Sequence, residues 1–456
     1  MIKLNILLLN PPAEQKYVKE SRCQHRAAVF QSVYPPLTLA YIASLTRKEN
    51  NVLLLDAIGD ELSFEDVRNG VKNFDPDLVI VNTTTPTIDN DLRVIEGLKS
   101  VTNAKFAIFG VHATHFANEL IKFPQVDIVI RKEPEITAYE LTKKELKDVD
   151  GIVYKENSEI KKNQDREFLD VNELPFPAWD LVNLENYRMP IIGEKYVLLA
   201  TGRGCPYSCT FCVSTSYYGK RFRCRNVDSV INEIEYVKSL GINNFFFFVE
   251  TFTLNKKFVM DLCGEIIRRE LNIRWICNSR VDTVDREMLN AMKKAGCWLI
   301  SFGIESGDQQ ILDNVKKGIK LEQSQKAVEM AKKSGIATIG HFIFGLPGES
   351  RETIEKTLKL SKKLPLNFAE FYIATPFPGC ELFNDIKIKN YEEINWSEYE
   401  YSHNVLMKDL NLENVRNKAY RGFYLRPSLI LRDLQLFGLR YLPNLVLGGI
   451  KFLSTI

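Results

Sequence analysis

The chain has 456 residues, 45% of them hydrophobic, enough for more than one core. Its 60 basic and 58 acidic residues leave a net charge of +2, which argues against a general nucleic-acid binder. No apolar run reaches transmembrane length, and Leu4–Leu9 runs straight into Asn10-Pro11-Pro12, a buried strand and turn as opposed to a cleavable leader. Nine cysteines, an odd number with three clustered, point to a reducing cytoplasm.

Residues 1–150 alternate short apolar runs with amphipathic segments. The runs are Leu4–Leu9, Val52–Leu55, Leu78–Val81, Phe106–Phe109 and Ile128–Ile130. Between them the spacing predicts helices such as Phe64–Phe74, opened by Ser63 with Asp66 in a capping-box pattern. Strands alternating with helices predict an α/β, doubly wound parallel sheet, whose ligand edge is at the strand C-termini. That edge carries Asn10 and Pro11, then Thr83-Thr84-Thr85, Gly110 with His112, and Arg131 with Glu133. Small hydroxyls, prolines and a glycine suit a large, close-fitting ligand. The absence of G-x-G-x-x-G after the first strand argues against a dinucleotide. Gln15–Arg26 reads as a long polar loop, with Cys23 and His25, that covers the active site.

Residues 151–195 read as a polar, irregular linker that includes the stiff Leu174-Pro175-Phe176-Pro177. A second alternating series follows over 196–385. Its strands are expected at Tyr196–Ala200, Phe245–Val249, Ile273–Cys277, Leu299–Phe302, Ala337–Phe344 and Ala369–Ile373. Six strand–helix units read as a partial (β/α)6 TIM barrel with active residues at the strand C-terminal ends. Residues 386–456 read as a helical C-terminal region.

Directly after the first strand of this series comes Gly204-Cys205-Pro206-Tyr207-Ser208-Cys209-Thr210-Phe211-Cys212. Three thiolates spaced C-x3-C-x2-C can wrap one 4Fe–4S cubane and leave its fourth iron without a protein ligand. An open metal position suits chemistry, whereas a structural zinc site wants a fourth ligand, and none is suitably spaced.

This loop resembles the motif of the radical S-adenosylmethionine (SAM) enzymes, including the aromatic Phe211 before the third cysteine. The resemblance implies that Cys205, Cys209 and Cys212 hold the cluster and that SAM is cleaved to a 5′-deoxyadenosyl radical. It also implies SAM contacts from Glu250, Arg280, the Gly303-Ile304-Glu305 segment and the loop at Gly345. A low-potential donor such as flavodoxin or ferredoxin is the implied electron source.

The front sheet joined to this barrel resembles the cobalamin-binding branch of these enzymes, similar to its methyltransferases and anaerobic oxidative cyclases. Tyr34-Pro35-Pro36-Leu37, Gly110-Val111-His112-Ala113-Thr114, Arg131-Lys132-Glu133 and Pro175-Phe176-Pro177-Ala178-Trp179 carry that resemblance. It implies a Rossmann-like front domain holding cobalamin through the edge residues named above. Lys132 stands where the pattern has glycine, and Val111 where it has proline. Because D-x-H-x-x-G is absent, the resemblance implies base-off, His-off cobalamin. His112 either lines the pocket or is an ordinary loop histidine.

Cys263, Cys277 and Cys297 read as core residues, Cys224 as isolated, and Cys380 as a turn residue or a hydrogen-atom donor to substrate. From Lys418 to Ile456 the chain carries Arg421, Arg426, Arg432, Arg440 and Lys451 against Asp433 alone, amid many aliphatic residues. That mixture fits a helix packed on the barrel, the preferred reading, or an interfacial helix at the inner face of an anionic membrane. Methylation of an unactivated carbon is the favoured activity, on a small-molecule, lipid or tetrapyrrole substrate. The alternatives are oxidative cyclisation on the same chassis and a non-catalytic cobalamin or iron–sulfur sensor.

Overall fold

A computed structural model of the chain describes residues 3–27, 33–189, 192–386, 390–407, 409–427 and 429. It is a mixed α/β structure built on two main sheets. The first contains β1 (Asn5–Asn10) and omits the hairpin of β2 (Tyr17–Glu20) and β3 (Cys23–Arg26). It continues through β4 (Asn51–Asp56), β5 (Leu78–Asn82), β6 (Lys105–Phe109), β7 (Ile128–Ile130), β8 (Ile152–Glu156) and β9 (Glu159–Lys162). The order is β4-β1-β5-β6-β7-β8-β9, parallel as far as β7 and antiparallel beyond it. The parallel strands are nearly continuous apolar runs because helices or other strands cover both faces. The helix Phe64–Phe74 has the expected bounds and capping box, with the Ser63 amide 2.9 Å from Asp66.

Two stretches differ from expectation. Residues 151–162 are not irregular: β8 buries Ile152, Val153 and Tyr154 in the first sheet, while β9 is a short polar edge that reads like a loop. The Gln15–Arg26 segment is not a loop either but the hairpin β2–β3, paired from Tyr17–Arg26 to Glu20–Cys23. Lys19, Glu20 and Gln24 are buried in it although all are polar.

The second sheet takes β10 (Tyr196–Ala200), then, beyond the small ribbon of β11 (Gly202–Arg203) and β12 (Arg223–Cys224), five further strands. They are β13 (Asn244–Phe248), β14 (Arg274–Ser279), β15 (Cys297–Glu305), β16 (Ala337–Phe344) and β17 (Phe368–Ile373). All six are parallel, with β10 and β17 at the edges. An open edge needs cover. On β17 the helix Leu412–Tyr424 supplies it: the Tyr420 and Tyr424 hydroxyls bond main-chain groups of Phe371 and Ala369, and Arg416 donates to the Phe371 carbonyl. Residues 418–424 of the basic tail therefore pack on the second sheet. Nearly all of the remaining tail, and with it the membrane reading, lies outside the described residues. No helix among the described residues is long and apolar enough to cross a membrane.

The two sheets share a continuous core. Every residue of the helix Leu37–Thr46 is buried, and it packs in the same cluster as strands of both sheets.

Candidate functional site

The cysteine loop starts where β10 ends. Gly204 has φ +89, and a Cβ there would stand 2.3 Å from the Arg221 carbonyl, so only glycine allows this turn. The loop is tied by the Cys205 amide to Gly219 (3.2 Å) and the Thr210 amide to Val315 (3.1 Å). It is anchored to the front sheet by Arg203, which bonds Glu133 at 3.1 Å and Glu135 at 2.5 Å. Arg223 holds the other side of Glu133.

Cys205, Cys209 and Cys212 are free thiols that line one cavity of about 1070 Å³. Burial pushes the Cys205 thiol up to about 11 and raises that of Cys209. Thiolates at such a site need a compensating cation, and Arg280 and Lys317 supply part of one: both lower the Cys209 value. Arg280 lies over the Tyr207 ring, 3.5 Å from its centroid, with its Nη1 4.0 Å from the Cys209 sulfur. Asp282 and the Lys317 carbonyl fix it there at 2.9 Å. A three-thiolate set facing a cavity fits a cubane with one open iron.

Glu250, Gly303 and Glu305 line the same cavity. Glu305 has φ +66 and sits at a register shift between β15 and β16, a bulge that re-aims its side chain. Its carboxylate meets the buried Lys317 ammonium at 2.5 Å. A Cβ on Gly303 would fall 2.3 Å from that carboxylate, so the glycine makes room for it. Glu250 Oε1 stands 3.7 Å from Arg22 of the hairpin, while its buried Oε2 has no hydrogen-bond partner among the described residues. A buried carboxylate oxygen left open toward a cavity is an acceptor for an ammonium group such as that of SAM.

Phe211 also borders the cavity. Gly345 does not: with φ +85, it gives its amide to Glu349, and this bond closes the turn after β16. The hairpin segment expected to cover the active site lines it through Arg22, Cys23 and His25, and Lys317 with the His341–Glu370–Tyr372 group on β16 and β17 completes the walls. Only the long-range fold brings them in.

The front-sheet edge residues Asn10, Pro11, Thr83, Thr84, Thr85, Gly110, His112, Arg131 and Glu133 do not line this cavity, and the β2–β3 hairpin is bonded to part of that edge. Lys19 makes a buried pair with Asp91 at 2.9 Å, and Thr84 and Thr87 join the chain of bonds leading to Asp91. Asn82 bonds Asn10 and the Lys19 carbonyl, and the Thr85 amide bonds Gln24. Thr83 bonds the Phe109 carbonyl. Arg131 turns to Asp165 and the Asn163 carbonyl. His112 is neither in the pocket nor a loop residue. It is buried in the short helix Val111–His115, its Nε2 is 2.8 Å from the Tyr391 hydroxyl, and its ring stands edge-on to Trp396. Burial brings its pKa down to about 3, so it is neutral. Lys132, in place of glycine, adopts φ +62, the left-handed conformation that glycine favours.

The radical SAM superfamily profile matches residues 199–361, from the end of β10 into the helix after β16. An uncharacterised methyltransferase of Pyrococcus horikoshii is 36% identical over 445 residues, covering 94% of this chain and 95% of its own length. The anaerobic magnesium-protoporphyrin IX monomethyl ester cyclase of Cereibacter sphaeroides is 29% identical over 87% of this chain and 68% of its own. Among solved structures, the radical SAM methyltransferase TsrM of Kitasatospora setae, with cobalamin and a 4Fe–4S cluster bound, superposes with a TM-score of 0.67. It covers 84% of this chain and 77% of its own at 19% identity, which shows a shared fold. With a relative this similar along nearly its whole length, and a profile match over the segment that carries the three cysteines, the chain belongs to the radical SAM superfamily of enzymes.

Proposed function

We propose that this enzyme is a cobalamin-dependent radical SAM methyltransferase acting on an unactivated carbon. The convergence of Cys205, Cys209 and Cys212 with Glu250, Arg280 and Glu305 on one cavity carries the reading. In this reading the cysteines hold the cluster, Glu250 Oε2 accepts from the SAM ammonium, and Arg280 and the Glu305–Lys317 pair set the charge around it. When bound, the cluster supplies the electron that cleaves SAM, and cobalamin supplies a carrier for the methyl group.

The cavity exceeds the usual pocket of a drug-sized ligand, roughly 300–1,000 Å³, and so suits more than one occupant. We assign the corrin to its hairpin side, against Arg22, Cys23 and His25, with the front sheet supporting the hairpin from behind. His112, bonded to Tyr391, is not its lower ligand. The barrel-type division at 196–385 and the C-terminal region from 386 are part of the same proposal.

Oxidative cyclisation is the second reading, favoured by the cyclase relative that matches 87% of the chain. Anaerobic incubation with methyl-labelled SAM, reductant and cobalamin separates the two. Methyl transfer yields both 5′-deoxyadenosine and S-adenosylhomocysteine, whereas 5′-deoxyadenosine alone supports the cyclase.

A further inference from the structure

The interior of a strand barrel is ordinarily filled by layers of its own side chains. Here it is open, and its polarity is graded along the strands. At the C-terminal end the cavity is ionic, with Arg280, Glu305 and Lys317. One level down, His341 pairs with Glu370 across β16 and β17. The His341 Nδ1 is 3.1 Å from both Glu370 and the Tyr372 hydroxyl. Below that level Phe246, Ile276, Leu299, Ile339 and Phe368, from five successive strands, line the same cavity. From Gly303 to Leu299 is about 13 Å of strand.

We infer that this lower lumen is a chamber for a narrow apolar chain, and that the substrate is an amphiphile whose polar end meets His341, Glu370 and Tyr372. Five neighbouring strands each contribute one apolar side chain to this wall, and a hydrocarbon chain is the ligand that such a wall suits. The wall chemistry agrees: burying apolar surface against apolar walls is favourable at roughly 25 cal/mol per Å². The proposal rests on the functional reading only for which end reacts.

The test is direct binding to the full-length, cluster-loaded protein without SAM or reductant, so its outcome is independent of turnover. All-trans-retinol, a fluorescent polyene alcohol, serves as probe. Saturable binding of one retinol per chain is expected, displaced by geranylgeraniol and not by magnesium protoporphyrin IX. Leu299→Trp should weaken it at least tenfold. Ile160→Ser, on the exposed β9, should leave it unchanged, and an unchanged unfolding midpoint certifies the fold of each variant. Failure of retinol to bind, equal binding by folded Leu299→Trp protein, or displacement by the porphyrin would overturn the inference. If retinol binds as expected but SAM is never cleaved, the chamber stands and the functional reading falls.

Discussion

Arg203 and Glu133 form a buried ion pair, 3.1 Å apart and each no more than 5% exposed, that ties the cluster loop to the front sheet. Arg203 lies two residues before Cys205, so the pair fixes the approach to the first thiol. Glu135 on the same guanidinium and Arg223 on the same carboxylate make it a four-membered network. Removing one partner of such a pair leaves an uncompensated buried charge, at a cost of about 3–5 kcal/mol. Glu133→Ala should lose stability of that order in denaturant unfolding and retain less iron than wild type. A loss under about 1 kcal/mol would mean that water reaches the pair.

Gly303→Ala tests the cradle around Glu305. The new methyl has to displace the carboxylate that Lys317 holds. A misplacement of about 1 Å at such a group costs on the order of 10²-fold in rate. Reductive SAM cleavage should fall by about that factor, with the cluster's iron content unchanged. Wild-type cleavage in this variant would show that Glu305 does not position SAM.

Much of this was legible in the sequence, for physical reasons. Parallel strands buried on both faces read as apolar runs, so β1, β7, β10 and β16 stand at or next to their expected bounds. The three cysteines were legible because local spacing alone specifies a cubane site. What escaped depends on partners far along the chain. Lys19, Glu20 and Gln24 are polar and read as a loop, yet they are buried and bonded to Asp91, Thr38 and Thr85 in the interior. For the same reason no local pattern announces that the hairpin bonds the front-sheet edge at Asn82 and Thr85. No local pattern distinguishes Lys317 or His341 from a surface charge.

Stability should depend on pH through Glu349. Burial pushes its carboxyl up to about 7 against an ordinary 4.5, so the folded state favours the protonated form. Its contribution is fully present below about pH 4.5 and declines as pH rises through about 7. The change is on the order of 3 kcal/mol. Unfolding free energies of wild type minus Glu349→Gln should fall between pH 4.5 and 7.5. A flat difference would mean that the group titrates normally in the folded protein.

His112→Ala should retain as much corrinoid as wild type, because the imidazole is held by Tyr391 and Trp396 away from the cavity. Its buried contacts make the variant less stable, by an estimated 1–3 kcal/mol, through the unpaired Tyr391 hydroxyl. Loss of corrinoid without loss of stability, or nitrogen splitting from His112 in the Co(II) electron paramagnetic spectrum, would reverse this assignment.

The most direct measurement concerns whether SAM meets the cluster inside this cavity. The reduced protein should give a 4Fe–4S electron paramagnetic resonance signal that shifts when SAM is added anaerobically, and Cys209→Ala should give no such signal while keeping its far-ultraviolet circular dichroism. A cluster signal from wild type that SAM leaves unchanged, with no 5′-deoxyadenosine formed, would contradict the account.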